Sequence, residues 1–215
     1  MQHHMQSWQA PAGEILDVAE GLIGRGWVAE GVRLGWQAAE TGVLNDTRVL
    51  RVIFPWPFRR LIEAEAEAHG VDPYLVAAMI RQESTFRAEV TSRAGARGLM
   101  QLMPRTAAGL ARRLGVEWDD QLLAVADANL HLGTAHLAAL LRSYRGNVIA
   151  ALAAYNAGSR PVARWLRYPE AKDQFRFVER IPYAETRRYV RAVLRNRALY
   201  RALYPPAESQ AVDDQ

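Results

Sequence analysis

The sequence predicts an all-α fold, and three observations carry that expectation. Apolar residues recur at i, i+3 and i+4 through one segment after another. Glycine and proline fall between these periodic segments, not inside them. The chain is rich in Ala, Leu, Arg and Glu, residues that form helices readily.

Length and charge bound what the chain can be. At 215 residues it can bury one sizeable core and carry an accessory segment. No run of 18 apolar residues is present, so no membrane span is expected. The formal charge is +4, which suits an anionic polymer, either nucleic acid or cell wall. Lys172 is the sole lysine among 27 basic residues, a composition bias more than a function. With no cysteine, disulfides and thiol chemistry are excluded.

In chain order, residues 1–12 are expected to be disordered or left over from an expression tag. They have neither the basic nor the apolar region of a signal peptide. Residues 13–57 read as a helical hairpin and a linker. Its first helix spans Glu14 to Ile23 and closes at Gly24. Its second runs from Trp27 to Thr41, with Val28, Val32, Trp36 and Ala39 on one side and Gly42 after its end. Asn45 to Phe54 reads as a linker, punctuated by Pro55 and Pro57. A larger unit, residues 58–204, opens with an amphipathic helix from Phe58 to His69, ended by Gly70. Asp72 and Pro73 are a good N-cap and first helical residue for the next. Arg87 to Arg97 has little helical period. Pro104 opens a helix to Leu114, and a short one carries Leu122 and Leu123. Ala128 to Tyr144 is long and apolar. Asn147 can cap Val148 to Asn156, Pro161 starts a helix through Trp165, and a last one reaches Leu203. Residues 205–215 read as a flexible acidic tail.

Glu83 is the candidate for chemistry. Leu75, Met79 and Glu83 share one helical face, which is apolar for two turns and then ends on a carboxylate. Apolar neighbours and the negative end of the helix dipole both disfavour its ionised form. Its pKa is expected to rise from about 4.3 toward ~6, as a general acid needs. A solvated or ion-paired surface glutamate is the plainer reading of the same pattern.

Four blocks alter that balance: Glu83-Ser84, then Ser92 through Gly98-Leu99-Met100-Gln101-Leu102-Met103-Pro104, then Ala154-Tyr155-Asn156-Ala157-Gly158, then Ile181-Pro182-Tyr183-Ala184-Glu185-Thr186-Arg187. In this order and spacing they resemble the catalytic domain of the soluble lytic transglycosylases, which cut the glycan strands of peptidoglycan. The resemblance covers roughly Phe58 to Leu203. It implies a lysozyme-like all-α domain with a deep cleft between lobes and Glu83 at its floor. It also implies non-hydrolytic cleavage of the MurNAc–GlcNAc β-1,4 bond with a 1,6-anhydro product, Glu83 serving as acid and then base. The hairpin resembles the last turn of the superhelix that precedes this domain in long relatives, although two units establish no repeat. A hairpin that simply covers the core is the equal alternative.

By the same resemblance, Ser92 contacts substrate and orients the acid, Gln101 bonds an acetamido sugar, and Met103 packs on a sugar face. Tyr155 reaches Glu83 and holds it, Asn156 touches substrate, and Glu185 lines the cleft. Each has a plainer reading. Ser92 can make a local turn bond, Gln101 can bond backbone, and Met103 can fill core. Tyr155 can be half-buried with its hydroxyl in solvent, Asn156 can shape a helix end, and Glu185 can cap a helix or pair with Arg187 or Arg188. Phe86, Tyr155, Tyr183 and Tyr189 are candidate stacking platforms. His131 and His136 are five apart, the wrong helical spacing for one metal site, so no metal or cofactor is expected. Val125 departs from the family, whose members commonly carry Asp-Pro there, and affects a helix start.

The expected partner is the peptidoglycan glycan strand, met in the periplasm or cell wall with no nucleic acid and no membrane span; if the natural protein is exported this chain is a fragment of it, and the sequence leaves the oligomeric state open, a monomer being the simplest expectation. Three rivals remain: a hydrolytic muramidase on the same fold, a non-catalytic wall-binding module, and a basic helical DNA binder. Arginines spread over most helices, with no single basic stripe, argue against nucleic acid.

Overall fold

Caps and breakers in the sequence set most helix boundaries. The computed structural model describes residues 11–40 and 46–206. The expected disorder before Pro11, the end of the second helix at Thr41-Gly42, and the tail after Pro206 lie outside the described residues. The hairpin is α1 (Ala12–Gly24) and α2 (Val28–Ala38). Its packing face differs from the one expected. Trp36 is exposed, and the buried face of α2 runs through Val28, Gly31, Val32, Gly35 and Ala38. Glycine is required there because the helices approach closely. A Cβ on Gly31 would lie 2.7 Å from the Ala19 carbonyl oxygen, and one on Gly35 2.7 Å from Val52 Cγ1.

The presumed linker is itself helical, α3 (Thr47–Ile53). The Asp46 side chain accepts from Arg48 N at 2.7 Å and starts it, a capping signal that the apolar run had masked. Then come α4 (Arg59–His69) and α5 (Pro73–Glu83). The Asp72 side chain caps α5 through Tyr74 N at 3.0 Å, with Pro73 at the first position as expected. An irregular loop holding two isolated bridges, Thr91 with Arg97 and Arg97 with Leu102, leads to α6 (Pro104–Leu114). A 3₁₀ turn at Asp120–Ala124 precedes α7 (Ala126–Ser143). Val125 stands at its N-cap without a side-chain bond, which is the structural consequence of the departure noted above. The rest is α8 (Val148–Ala157), α9 (Ser159–Trp165), a 3₁₀ turn at Pro169–Lys172, α10 (Gln174–Arg180) and α11 (Ala184–Leu203). Both the Pro169–Lys172 turn and α10 escaped the sequence reading. Asp173, capping Arg176 N at 3.0 Å, was the available signal for α10.

Among the described residues, the buried apolar side chains form two clusters. The larger runs from Ile15 in the hairpin to Leu203 at the end of α11, with α5 and α8 at its centre. The smaller joins Leu102, α6, Leu123 and Leu132. Tyr155 packs against both and marks the seam between two lobes. Among the described residues, no helix is long and apolar enough to cross a membrane.

Candidate active site

Glu83 is the last residue of α5, and the chain turns sharply behind it. Thr85 and Phe86 both adopt left-handed backbone, φ 51° and 60°. Such residues cost about 1 kcal/mol or more each, and persist only where the surroundings hold them. Phe86 is the anchor: it is buried in the core, which removes it from the list of sugar-stacking aromatics. Ser84 is buried too, its hydroxyl bonding the Leu99 carbonyl at 2.9 Å and so tying the end of α5 to the following loop.

The Glu83 carboxyl opens on a recess of about 410 Å³, walled by Gln82, Asn156, Glu185, Arg188, Tyr189 and Ala192. Its walls are therefore α5, the end of α8 and the start of α11. A roomier recess of about 520 Å³ lies beside Trp27 and Phe58, but its acids, Glu30 and Glu89, are exposed. Chemistry, not size, locates the site. Glu83 keeps some contact with water, yet enough protein surrounds it that burial raises its pKa from 4.5 to about 7. The direction matches the expectation. The nearby Tyr189 hydroxyl acts in the opposite sense and lowers it. That hydroxyl is itself buried and makes no well-formed hydrogen bond, so its influence on Glu83 is one of proximity. Burial and the Glu83 charge hold the Tyr189 phenol protonated.

The structure gathers Glu83, Asn156 and Glu185 around this recess. Asn156 Oδ1 accepts from the Thr186 hydroxyl at 2.7 Å, which joins α8 to α11. Glu185 is exposed in the first turn of α11, and Arg187 donates to the Ile181 carbonyl at 2.7 Å instead of pairing with it. Ser92, Gln101 and Met103 do not line the recess. Ser92 Oγ accepts from Ala96 N at 3.0 Å, the local turn bond. Gln101 Nε2 donates to the Gly98 and Val90 carbonyls at 3.0 and 3.2 Å, and its backbone is left-handed at φ 47°. Its amide thus braces the loop, where the resemblance had put it on substrate. Met103 is 44% exposed at the N-cap of α6, so it does not fill core. The Tyr155 hydroxyl donates to the Met100 carbonyl at 2.8 Å, not to Glu83, although it feels the Glu83 charge. His136 stacks obliquely on Tyr155 at 5.1 Å, and burial pulls its pKa down to about 4, so it is neutral.

Two residues that shape the surroundings of the site are not legible in the sequence. The sequence offers Tyr189 only as a stacking ring, whereas in the fold it lies one helical turn after Glu185 on a helix that lines the same recess as Glu83. Asn129 is fully buried. Its Oδ1 accepts from Met100 N at 2.8 Å, and its Nδ2 donates to the Leu123 and Arg97 carbonyls at 2.9 and 3.0 Å. A buried polar residue in an apolar helix was the signal.

This is a helical domain in which burial raises a carboxyl's pKa to about 7 at the edge of a polar recess. Residues 60–178 match the family model described as "Transglycosylase SLT domain", and the chain belongs to that family. It is 34% identical over 186 residues to a soluble lytic murein transglycosylase of Salmonella typhimurium, covering 85% of this chain and 28% of that protein. The corresponding Escherichia coli K12 protein is 36% identical over 172 residues, 78% of this chain and 26% of its own length. Among solved structures, an inactive mutant of lytic transglycosylase Slt from Pseudomonas aeruginosa superposes with a TM-score of 0.79 at 34% identity, covering 90% of this chain and 31% of that one. The 70 kDa soluble lytic transglycosylase of Escherichia coli gives 0.77 at 31% identity. The chain therefore spans between a quarter and a third of the length of these relatives.

Proposed function

We propose that this chain is a peptidoglycan lytic transglycosylase domain that acts in the periplasm or cell wall. The observation that carries the reading is Glu83, a carboxyl held protonated near neutrality by burial at the edge of a polar recess. Glu83 donates its proton to the glycosidic oxygen as the bond to C1 breaks. The N-acetyl group of the muramic acid supports the positive charge at C1. The Glu83 carboxylate then takes the proton of the sugar's own 6-hydroxyl, which closes on C1 to give the 1,6-anhydro end without consuming water. Tyr189 suits this cycle. Its phenol stays protonated beside Glu83 and can donate to the carboxylate in the interval between the two proton transfers.

One observation favours a second reading. Glu185 lines the same recess, and a second carboxylate is what a hydrolytic muramidase uses to activate water. Digestion of purified sacculi followed by product mass analysis separates the two. Anhydro ends, one water lighter than reducing ends, are expected. Reducing ends throughout would assign hydrolysis, and their loss in Glu185→Gln would then identify Glu185 as the base.

A further inference from the structure

Away from the recess, three metal-ligating side chains meet between α4 and α7. Glu65 and His69 stand at i and i+4 on α4, which puts both on one face of that helix. His131 comes across from α7. Their ligand atoms all lie within 4.8 Å of one another. His131 Nδ1 is 3.0 Å from Glu65 Oε2, and His69 Nε2 is 3.6 Å from the same oxygen. The two imidazoles are 5.6 Å apart and inclined at 47°, converging rather than stacked flat. A second observation points to a ligand. His69 Nε2 is buried and has no hydrogen-bond partner. An orphaned ring nitrogen is costly unless something binds it.

We propose that Glu65, His69 and His131 form a zinc-class divalent metal site that staples α4 to α7. Tetrahedral zinc with nitrogen and oxygen ligands near 2.0–2.1 Å separates ligand atoms by about 3.4 Å, and the 3.0 and 3.6 Å spacings bracket that value. Two imidazoles and one carboxylate select zinc, nickel or copper over magnesium and calcium, which want all-oxygen shells. The His131 side chain is 39% exposed, so an ion enters from solvent and water can take the fourth position. The sequence reading weighed His131 only against His136 on the same helix and thus expected no metal. The partner ligands lie on a helix that the fold alone brings alongside. A staple here would stiffen α7, the helix that carries Asn129.

The test uses the full chain, stripped with chelator, carrying His3→Ala and His4→Ala so that the N-terminal imidazoles cannot bind. Equilibrium dialysis should find one zinc per chain. At a hundredfold excess over Kd, zinc should raise Tm by roughly 5–10 °C, while magnesium at the same concentration leaves it in place. Cobalt(II) should give the visible absorption of a four-coordinate site. His69→Ala and His131→Ala should each abolish the melting shift and the cobalt bands. The near-isosteric Glu65→Gln should weaken binding at least tenfold, and it serves if an alanine variant does not fold. No bound zinc in the stripped chain, or a melting shift that survives in the His69→Ala/His131→Ala double variant, would overturn the site.

Discussion

At the scale of single residues, Glu83 couples catalysis to stability with a definite sign. The folded chain retains a proton on Glu83 up to about pH 7, which the unfolded chain gives up near pH 4.5. Stability should therefore fall as pH climbs through that window, by a ceiling on the order of 3 kcal/mol, less because the recess is open to water. Glu83→Gln has nothing to ionise. It should match the parent in thermal melts at pH 4, exceed it at pH 8, and lose ~10²–10⁴-fold in glycan cleavage below pH 7, where the parent's acid is protonated. Equal melting at pH 8 would show that ionising the carboxyl costs nothing in the folded chain and that burial does not raise its pKa. Tyr189 supplies a second check. Its hydroxyl lowers the Glu83 pKa, so Tyr189→Phe should move the alkaline limb of the rate profile upward. A limb that stays in place would remove Tyr189 from the acid's surroundings. Gln101 has the backbone bonds of its plainer reading. Its amide donates to two loop carbonyls that also accept from Gln101 N and Gly98 N, so Gln101→Ala strands neither and should lower stability by ~1 kcal/mol in urea titrations, where a purely substrate-facing amide would leave it unchanged.

At the scale of elements, the loop between α5 and α6 has little regular structure and is held from outside. Asn129 on α7 bonds the backbone of Arg97 and Met100 in this loop and that of Leu123 in the 3₁₀ turn before α7, tying the two together. Met100 in turn presents its carbonyl to Tyr155. Gly98 sits against the same amide in a left-handed conformation, φ 78°, where any Cβ would collide with Asn129 and the Leu123 carbonyl. Asn129→Ala strands a buried donor, Met100 N, and the Leu123 carbonyl, while the Arg97 carbonyl keeps its bond from Leu102 N, and should cost on the order of 3 kcal/mol. Asn129→Asp should not rescue it, because a carboxylate cannot donate to the two carbonyls. Rescue by Asp, read as a restored Tm, would mean that the bond to Met100 N alone matters. This loop also shows where legibility stopped. The caps at Asp72 and Asn147, the breaks at Gly70 and Gly115, and the place of Glu83 were all readable, because each depends on residues within a few positions. The partners of Asn129, Gln101 and His131 were not, because they depend on which helices come to lie together. Glu83 was legible as an acid because an apolar stripe that ends on a carboxylate is itself local.

At the scale of the molecule, the question is whether the hairpin is an appendage or part of the core. Apolar burial runs without a break from Ile15 and Leu16, through Val49, Val52 and Ile53 of α3, into α5 and α11. The segment between hairpin and catalytic helices is bonded on both sides. Tyr200 Oη donates to the Pro55 carbonyl at 2.8 Å, Tyr204 Oη to the Phe54 carbonyl at 3.0 Å, and Arg81 Nε to the Ile53 carbonyl at 3.0 Å. Trp56 packs on Tyr74, Tyr200 and Tyr204, with ring centres 5.2–5.8 Å apart. Arg48 reaches back to Asp17 and Glu20, but these pairs are solvent-exposed and contribute little. Apolar contact is thus what holds the hairpin, and α3 belongs to both parts. A boundary at residue 46 is expected to separate them differently from one at residue 58. A chain starting at Asp46 keeps α3 and every bond to Phe54 and Pro55, so it should fold and cleave glycan. It would expose the face of Val49 and Val52 that α2 covers, lower Tm and favour self-association. A chain starting at Phe58 loses the carbonyls that Tyr200, Tyr204 and Arg81 bond, leaving those side chains without partners beside the helix that ends in Glu83. It should lose both stability and activity. Melting, light scattering and sacculus digestion on the two truncations decide the matter. Equal behaviour of the two would show that α3 belongs to the hairpin alone.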